Sequence, residues 1–181
     1  MRKVQGDYLI LMTKAKKTNS HVSTDLLKIV INCGIGKLRS QSQFDEKVLP
    51  EIEKEIATIT GQKPAERVAK KSISTFKIRE GEVVGLQVTL RKQRMNDFLT
   101  KVSSIVLPRV KDFRGLELSN VDHDGNLNFG FREQTVFPEI NPERSRVTFG
   151  MQVTVVPRKK DREAAIALYR SLGVPLKHSD K

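Results

Sequence analysis

The sequence is poor in cysteine, aromatic residues and long apolar runs. Its 181 residues include one cysteine, Cys33, two tyrosines and no tryptophan. A single cysteine excludes an intrachain disulfide framework and is typical of a reducing compartment. No apolar run approaches the roughly 20 residues that a membrane-spanning helix needs, and the apolar run at 8–12 is too short for a secretory signal. We therefore expect a cytoplasmic protein of one domain.

Candidate catalytic and metal-binding groups are also scarce. The three histidines lie in turn-like or terminal segments, and Cys33 has no evident base near it in the sequence. The run Asp122, His123 and Asp124 has the right atoms for a metal ligand set, but the Asp-Gly and Gly-Asn pairs that follow are more typical of a turn. We therefore expect no catalytic residue, no metal ligand and no cofactor, which disfavours an enzyme.

Positive charge is what the chain has in excess. There are 33 Lys and Arg against 21 acidic residues, a net charge of +12. Half of that excess lies in residues 61–94, where nine cationic residues face three acidic ones. The ends of this stretch are predicted to be strands, and its middle a long loop with Phe76 and Ile78 among basic residues. A polyanion fits this pattern, although a solvated surface hairpin is the alternative.

Nucleic acid is favoured over an anionic membrane as the acidic partner. The positive charge lies mainly in predicted loops and strands, whereas a membrane-surface module would carry it on a cationic amphipathic helix. The string GIGK at 34–37 lacks the spacing of a Walker-type phosphate loop. It predicts a tight exit from a strand, where the backbone amides of Gly34 and Gly36 can approach an anion closely.

Hydrophobic periodicity predicts about five strands and three main helices. Period-two alternation marks strands at 26–33, 83–91, 127–131 and 147–155, and the start of the basic stretch supplies another. Apolar stripes mark helices at 44–60, 95–106 and 161–173, and Ile105 is part of the stripe of the second. Gly61 is predicted to end the first helix, Pro108 to stop the second and Asp161 to cap the third. Pro50 either opens the first helix or kinks a longer one. There is no repeat and no regular strand–helix–strand alternation. The fold class is therefore α+β, with a mainly antiparallel sheet and helices packed on one face.

The alternation separates an apolar from a polar face of the predicted sheet. The residues predicted to face the helices are Leu27, Ile29, Ile31 and Cys33 in one strand and Val84, Leu86, Val88 and Leu90 in another. The opposite face carries Lys28 and Asn32, and then Gly85, Gln87, Thr89 and Arg91. This polar face has no aromatic residues, so it is unlike the stacking surfaces of single-strand RNA-binding domains. Structured RNA, recognised by shape and backbone, fits it better.

Seven segments of the chain match a known family. They are KIVINCGIG, ITGQKP, KKSISTFKIREG, VGLQVTLRKQRM, LPRVKDFRGL, DGNLNFGFREQTVFPEI and LYRSLGVPLK. By these segments together the chain resembles the universal family of large-subunit ribosomal protein number five, which binds 5S ribosomal RNA. The resemblance covers one domain at 26–177, with a poorly matched N-terminal arm at 1–25 and a frayed tail at 178–181. Arg67 stands where family members usually carry a small hydroxyl residue.

The resemblance implies a structural protein of the large ribosomal subunit in the cytoplasm. Its sheet surface would bind 5S rRNA in the central protuberance, and its basic loop would contact the tRNA in the peptidyl site. The chain would also form an intersubunit bridge to a small-subunit head protein. 23S rRNA is a further expected partner, and whether the arm contacts that RNA or a protein stays open. We expect no membrane partner and no homo-oligomer.

The resemblance also implies two sets of contact residues. The rRNA-binding set is Asn32, Gly34, Gly36, Gln62, Lys63, Lys70, Lys71, Thr89, Arg91 and Arg94. The tRNA-contact loop spans 72–85, with contacts expected from Ser72, Ser74, Phe76, Lys77, Ile78 and Arg79.

Overall fold

A computed structural model of the chain describes residues 25–40, 43–76 and 78–177. Five strands are present in this part: β1 (Leu26–Gly34), β2 (Ala65–Val68), β3 (Val83–Leu90), β4 (Leu127–Phe131) and β5 (Met151–Pro157). They form one sheet in the order β2-β3-β1-β5-β4, and every neighbouring pair is antiparallel. This sheet, with its helices, confirms the predicted α+β class. The predicted tail and the arm, except Asp25, lie outside the described residues.

Three main helices accompany the sheet: α1 (Leu49–Thr60), α2 (Lys92–Lys101) and α3 (Arg162–Ser171). Pro50 lies in the first turn of α1. Val48 and Leu49 before it both have right-handed helical backbone, so the helical run continues through Pro50, and α1 begins within it. A π-helical turn, Phe44–Val48, precedes α1. Gly61 ends α1 in the left-handed conformation, and its N–H donates to the carbonyl oxygen of Ala57 at 2.8 Å.

The apolar core lies between the helices and one face of the sheet. Buried residues of the three helices form one cluster with the buried residues of the central strands, among them Ile52, Ile56, Phe98, Leu99 and Tyr169 with Ile29, Ile31, Val88, Val153 and Val155. Alternate residues of β1, β3 and β5 are buried, and those between them are half-buried or exposed. The periodicity of the sequence therefore predicts the core face of these strands correctly.

Two residues predicted to lie in the core are instead exposed. Leu27 is 43% exposed and Leu26 is buried, because the pairing of β1 with β5 shifts register between Leu26 and Lys28. Ile105 is 46% exposed. It lies in a π-helical turn, Val102–Val106, whose wider turn rotates this position away from the apolar stripe of α2. The helical segment then continues past Pro108, where it was predicted to stop, to Arg109.

The predicted strand at 147–155 begins only at Met151, although Val147 and Phe149 are buried as predicted. Gln134 explains this difference. Its side chain is fully buried, its Nε2 donates to the carbonyl oxygen of Val147 at 2.6 Å, and its Oε1 accepts from the N–H of Phe149 at 3.0 Å. A side-chain amide thus takes the place of a neighbouring strand.

Helix α3 is fixed to the sheet by a close contact at Gly125. The Tyr169 hydroxyl donates to the carbonyl oxygen of Gly125 at 2.8 Å and lies 3.2 Å from that of Val155. As predicted, Asp161 caps the helix by accepting from the N–H groups of Glu163 and Ala164. A Cβ on Gly125, whose φ is +81°, would lie 2.8 Å from the Ala165 Cβ and 2.9 Å from the Asp161 oxygen.

We predict that Gly125→Ala lowers the free energy of unfolding by about 3 kcal/mol, because left-handed strain adds to a steric clash. The matched control is Gly173→Ala, where φ is +78° and a Cβ would meet nothing within 4 Å. That variant bears only the strain, about 1 kcal/mol. Urea denaturation measures both, and equal losses for the two variants would contradict the packing described here.

Candidate nucleic-acid interface

The face of the sheet opposite the helices carries two rows of side chains that run across the strands. In the first row, Asn32 of β1 pairs with Gln87 of β3 and with Gln152 of β5. The neighbours of these residues along each strand are buried against the helices. Because side chains alternate along a strand, the row points to the open face.

The second row lies one step further along the same strands. Val30 pairs with Thr89 of β3 and Thr154 of β5, and Thr154 pairs in turn with Asn128 of β4. Gln152 is exposed, and the other members of the two rows are half-buried. Apart from Val30, the two rows present amide and hydroxyl groups over four strands of the sheet, and together they are called the polar rows.

Hydrogen bonds link the side chains of this face to one another. The Gln87 Nε2 donates to the Asn32 Oδ1 at 2.9 Å, and the Thr154 hydroxyl donates to the Asn128 Oδ1 at 2.7 Å. The Gln87 Oε1 accepts from the Arg67 Nε at 2.9 Å and also from its Nη2. The amides are therefore held in place by their neighbours.

The structure spreads the residues of the predicted rRNA-binding set along the β2–β3 side of the sheet, without gathering them into one cluster. Asn32 and Thr89 lie on the open face, one in each row. Gln62, Lys63, Arg91 and Arg94 lie where α1 ends and α2 begins, and the Arg94 Nη1 donates to the Gln62 Oε1 at 3.4 Å. At the opposite end of these strands are Gly34, Gly36, Lys70 and Lys71.

The predicted tRNA-contact loop is an extension of the β2–β3 hairpin. Ile73 and Ile78 exchange backbone hydrogen bonds of 2.9 and 3.2 Å around a short 3-10 turn, Ser74–Phe76. The Ser72 hydroxyl accepts from the N–H of Glu80 at 2.9 Å. Ile73 is 46% exposed, an apolar side chain on a basic hairpin. The side chains of Phe76 and Lys77 lie outside the described residues.

Several cations around this surface are not neutralised within the protein. Glu82 pairs with Arg39 at 3.4 Å. By contrast, in the part of the chain that the structure describes, no ion pair reaches Lys63, Lys70, Lys71 or Arg79. Their positive charges are therefore available to an external anion such as a phosphate.

Site prediction from the sequence omitted several members of the polar rows. Gln87, Gln152, Thr154 and Asn128 lie beside Asn32 and Thr89, but are absent from the predicted set. The alternation in each strand was a sufficient signal for their face. Their proximity to Asn32 depends on the pairing of β1 with β5, two strands more than 110 residues apart in the chain.

The described residues hold no group of three or more His, Cys, Asp or Glu side chains that could hold a metal ion. Both carboxylate oxygens of Asp122 accept hydrogen bonds from Asn126, at 2.7 and 2.8 Å, which confirms the predicted turn. The Cys33 thiol is buried and donates to the carbonyl oxygen of Gly150 at 3.2 Å. Within the same residues, no helix has both the length and the apolar character to cross a membrane.

The sequence is similar to known proteins over most of its length. Residues 19–79 match the family model described as ribosomal protein L5, and residues 83–176 match the model that describes the C-terminus of the same ribosomal family. A protein of Thermotoga maritima named large ribosomal subunit protein uL5 is 46% identical over 167 residues, covering 92% of this chain and 89% of that protein. The protein of that name from Thermus aquaticus is 47% identical over 152 residues, covering 84% and 81%.

The buried thiol generates a prediction about reactivity. Desolvation raises the pKa of Cys33 from 9.0 to about 12, so the thiol stays neutral in the folded protein between pH 7 and 10. We predict that a thiol-specific disulfide reagent reacts at pH 8 at least about a hundredfold more slowly with the folded protein than with the chain in denaturant. Similar rates for both would show that Cys33 is accessible and ionisable.

Proposed function

Since the chain belongs to the ribosomal protein L5 family, and is thus a structural protein of the large ribosomal subunit and not an enzyme, we propose that it binds 5S rRNA through the open face of its sheet. The observation that carries this proposal is the pair of polar rows on a face that the helices leave uncovered. These rows have unneutralised cations along one side.

The two kinds of group have different tasks in this proposal. Lys63, Lys70 and Lys71 lie next to RNA phosphates and displace counterions, which gives most of the affinity and makes it fall steeply with salt. Arg91 and Arg94 add to this at the start of α2. Hydrogen bonds from the amides and hydroxyls of the sheet then set the register of the RNA on the protein.

Three polar residues are proposed to make those hydrogen bonds: Asn32, Thr89 and Gln62. Gly34 and Gly36 are proposed to let the RNA backbone approach the end of β1. Support for Gly34 comes from its surroundings, since a Cβ at this position would meet nothing within 4 Å. The protein itself therefore leaves the space above Gly34 open.

The hairpin extension is proposed to contact the peptidyl-site tRNA, with Ser72, Ser74, Phe76, Lys77, Ile78 and Arg79 as the contact residues. The exposed Ile73 and the unpaired Arg79 charge support a contact that is both apolar and electrostatic. Contact with 23S rRNA and an intersubunit bridge to a small-subunit head protein are also proposed, on the basis of the family alone.

The 5S proposal predicts the effect of removing the two side chains of the open face that are proposed to bond the RNA, Asn32 and Thr89. We expect Asn32→Ala with Thr89→Ala to weaken 5S rRNA binding by about 10- to 100-fold at physiological salt, because two hydrogen bonds of about 1 kcal/mol each are lost. Filter binding or fluorescence anisotropy measures this. The control, Arg109→Ala, removes one exposed peripheral charge and should change affinity less than about threefold. Undiminished affinity in the double variant would count against this surface.

The tRNA proposal predicts a separation of functions. Replacing residues 74–79 by a Gly-Ser segment should leave 5S rRNA affinity of the isolated protein unchanged within about twofold, since the polar rows are untouched. In ribosomes carrying this variant, cross-linking between the protein and peptidyl-site tRNA should be lost. Undiminished cross-linking would place the contact elsewhere.

A further inference from the structure

Arg67 is an exposed residue of the edge strand β2 that does not belong to the predicted contact set. It pairs in register with Gly85 of β3, and Gln87 lies two residues further along β3 on the same face. Because Gly85 has no side chain, the guanidinium can lie across β3. It donates to the Gln87 Oε1 through Nε at 2.9 Å and also through Nη2.

The chemistry of these groups determines the direction of the whole chain of hydrogen bonds. A guanidinium only donates, so the atom of Gln87 that faces Arg67 is its oxygen. The Gln87 NH2 group therefore points at Asn32, and the atom of Asn32 that receives it is the Oδ1, at 2.9 Å. The orientation of the Asn32 amide is thus determined by a charge two strands away.

This leaves the Asn32 NH2 group as the free end of the chain. Among the described residues it has no hydrogen-bond partner. The Asn32 nitrogen also keeps some exposure to solvent. Among the described residues, Asn96 Oδ1 is the one side-chain N or O atom that is both buried and without a partner, so the unpartnered Asn32 nitrogen is not buried. A donor of this kind, held in one orientation and not fully buried, suits an acceptor atom of a ligand.

A second amide of the proposed interface is oriented in the same way. The Arg94 Nη1 donates to the Gln62 Oε1 at 3.4 Å. The Gln62 NH2 group therefore points away from Arg94. At Asn128, the Thr154 hydroxyl likewise occupies the Oδ1. All three amides therefore have their oxygens occupied from within and present donors.

From these contacts we infer that Arg67 is a positioning residue of the RNA-binding surface, which acts through Gln87 to present the Asn32 NH2 group to an acceptor atom of RNA. The acceptor is a phosphate, ribose or base oxygen, or a ring nitrogen. This inference rests on the proposed binding of 5S rRNA. It adds that Asn32 is the hydrogen-bond donor in the contact and that Arg67 determines the orientation of this donor. Arg67 itself contacts Gln87 and not the RNA.

The first test needs no RNA. Side-chain amide relaxation in the 15N-labelled protein reports how rigid the Gln87 and Asn32 amides are. In Arg67→Met both amides should become more mobile on the nanosecond timescale. In the control Arg109→Met, which removes a charge distant from this face, they should keep the mobility of the original protein. Unchanged mobility of both amides in Arg67→Met would overturn the inference.

The second test is a double-mutant cycle on 5S rRNA affinity. Arg67→Met should weaken binding about fivefold in the original protein and less than about twofold in the Asn32→Ala background, because the amide that it positions is then absent. The slope of log affinity against log salt should stay unchanged, whereas loss of a direct phosphate contact would reduce it by about one unit. Equal losses in both backgrounds, or the reduced slope, would overturn the inference.

The two tests separate this inference from the function on which it rests. If the original protein binds 5S rRNA no better than an unrelated duplex RNA, the proposed function fails and the inference fails with it. If 5S rRNA is preferred but the effects of Arg67→Met and Asn32→Ala are additive, the proposed function stands and only the role of Arg67 is refuted.

Discussion

The packing of the apolar faces of the helices on one face of an alternating sheet is the interaction on which the rest of the structure depends. Burying the side chain of Ile29 or Ile31 in the core contributes about 1.5–3 kcal/mol each. Burying Asn32 there instead would leave its amide unsatisfied, at a cost of about 1–3 kcal/mol. A slip of one residue in β1 exchanges these positions. The polar rows are thus a consequence of the core, because the register that buries Ile29 and Ile31 under the helices also places Asn32 on the opposite face.

The open face and the hairpin divide the positive charge of the chain between two places. Lys63 and Arg94 lie near the junction of α1 with α2, whereas Lys70 and Lys71 lie beyond the other end of β3. The uncharged amides and hydroxyls lie between them. A ligand that bridges the two groups must be long, negatively charged and rich in acceptors, and a folded RNA satisfies all three conditions.

Much of the fold could be predicted because local pattern and burial agree. The buried alternation of β1, β3 and β5, the cap at Asp161 and the end of α1 at Gly61 each follow from a few neighbouring residues. The failures at Leu27 and Ile105 come from a register shift and a π-helical turn, which no short-range pattern shows. The strand start at Met151 depends on Gln134, whose buried amide bonds the backbone of Val147 and Phe149 in place of a neighbouring strand. This contact joins residues more than ten positions apart, so a local pattern does not show it.

The candidate site was predictable only in part, for a related reason. Alternation identifies the face of Asn32 and Thr89, and the family resemblance supplies their expected role. The link from Arg67 through Gln87 to Asn32 requires the pairing of three strands, which the sequence alone does not define. The contact residues of the rRNA and tRNA sets stay predictions, since the geometry shows where they lie and not what they touch.

Photo-cross-linking from single positions tests the central claim most directly. An unnatural photoreactive residue at position 152, exposed in the middle of the polar face, is compared with one at position 54, exposed on α1. The account predicts that position 152 cross-links to 5S rRNA in the purified complex and that position 54 does not. Cross-links from position 54 with none from position 152 would show that the RNA binds the helical side of the protein.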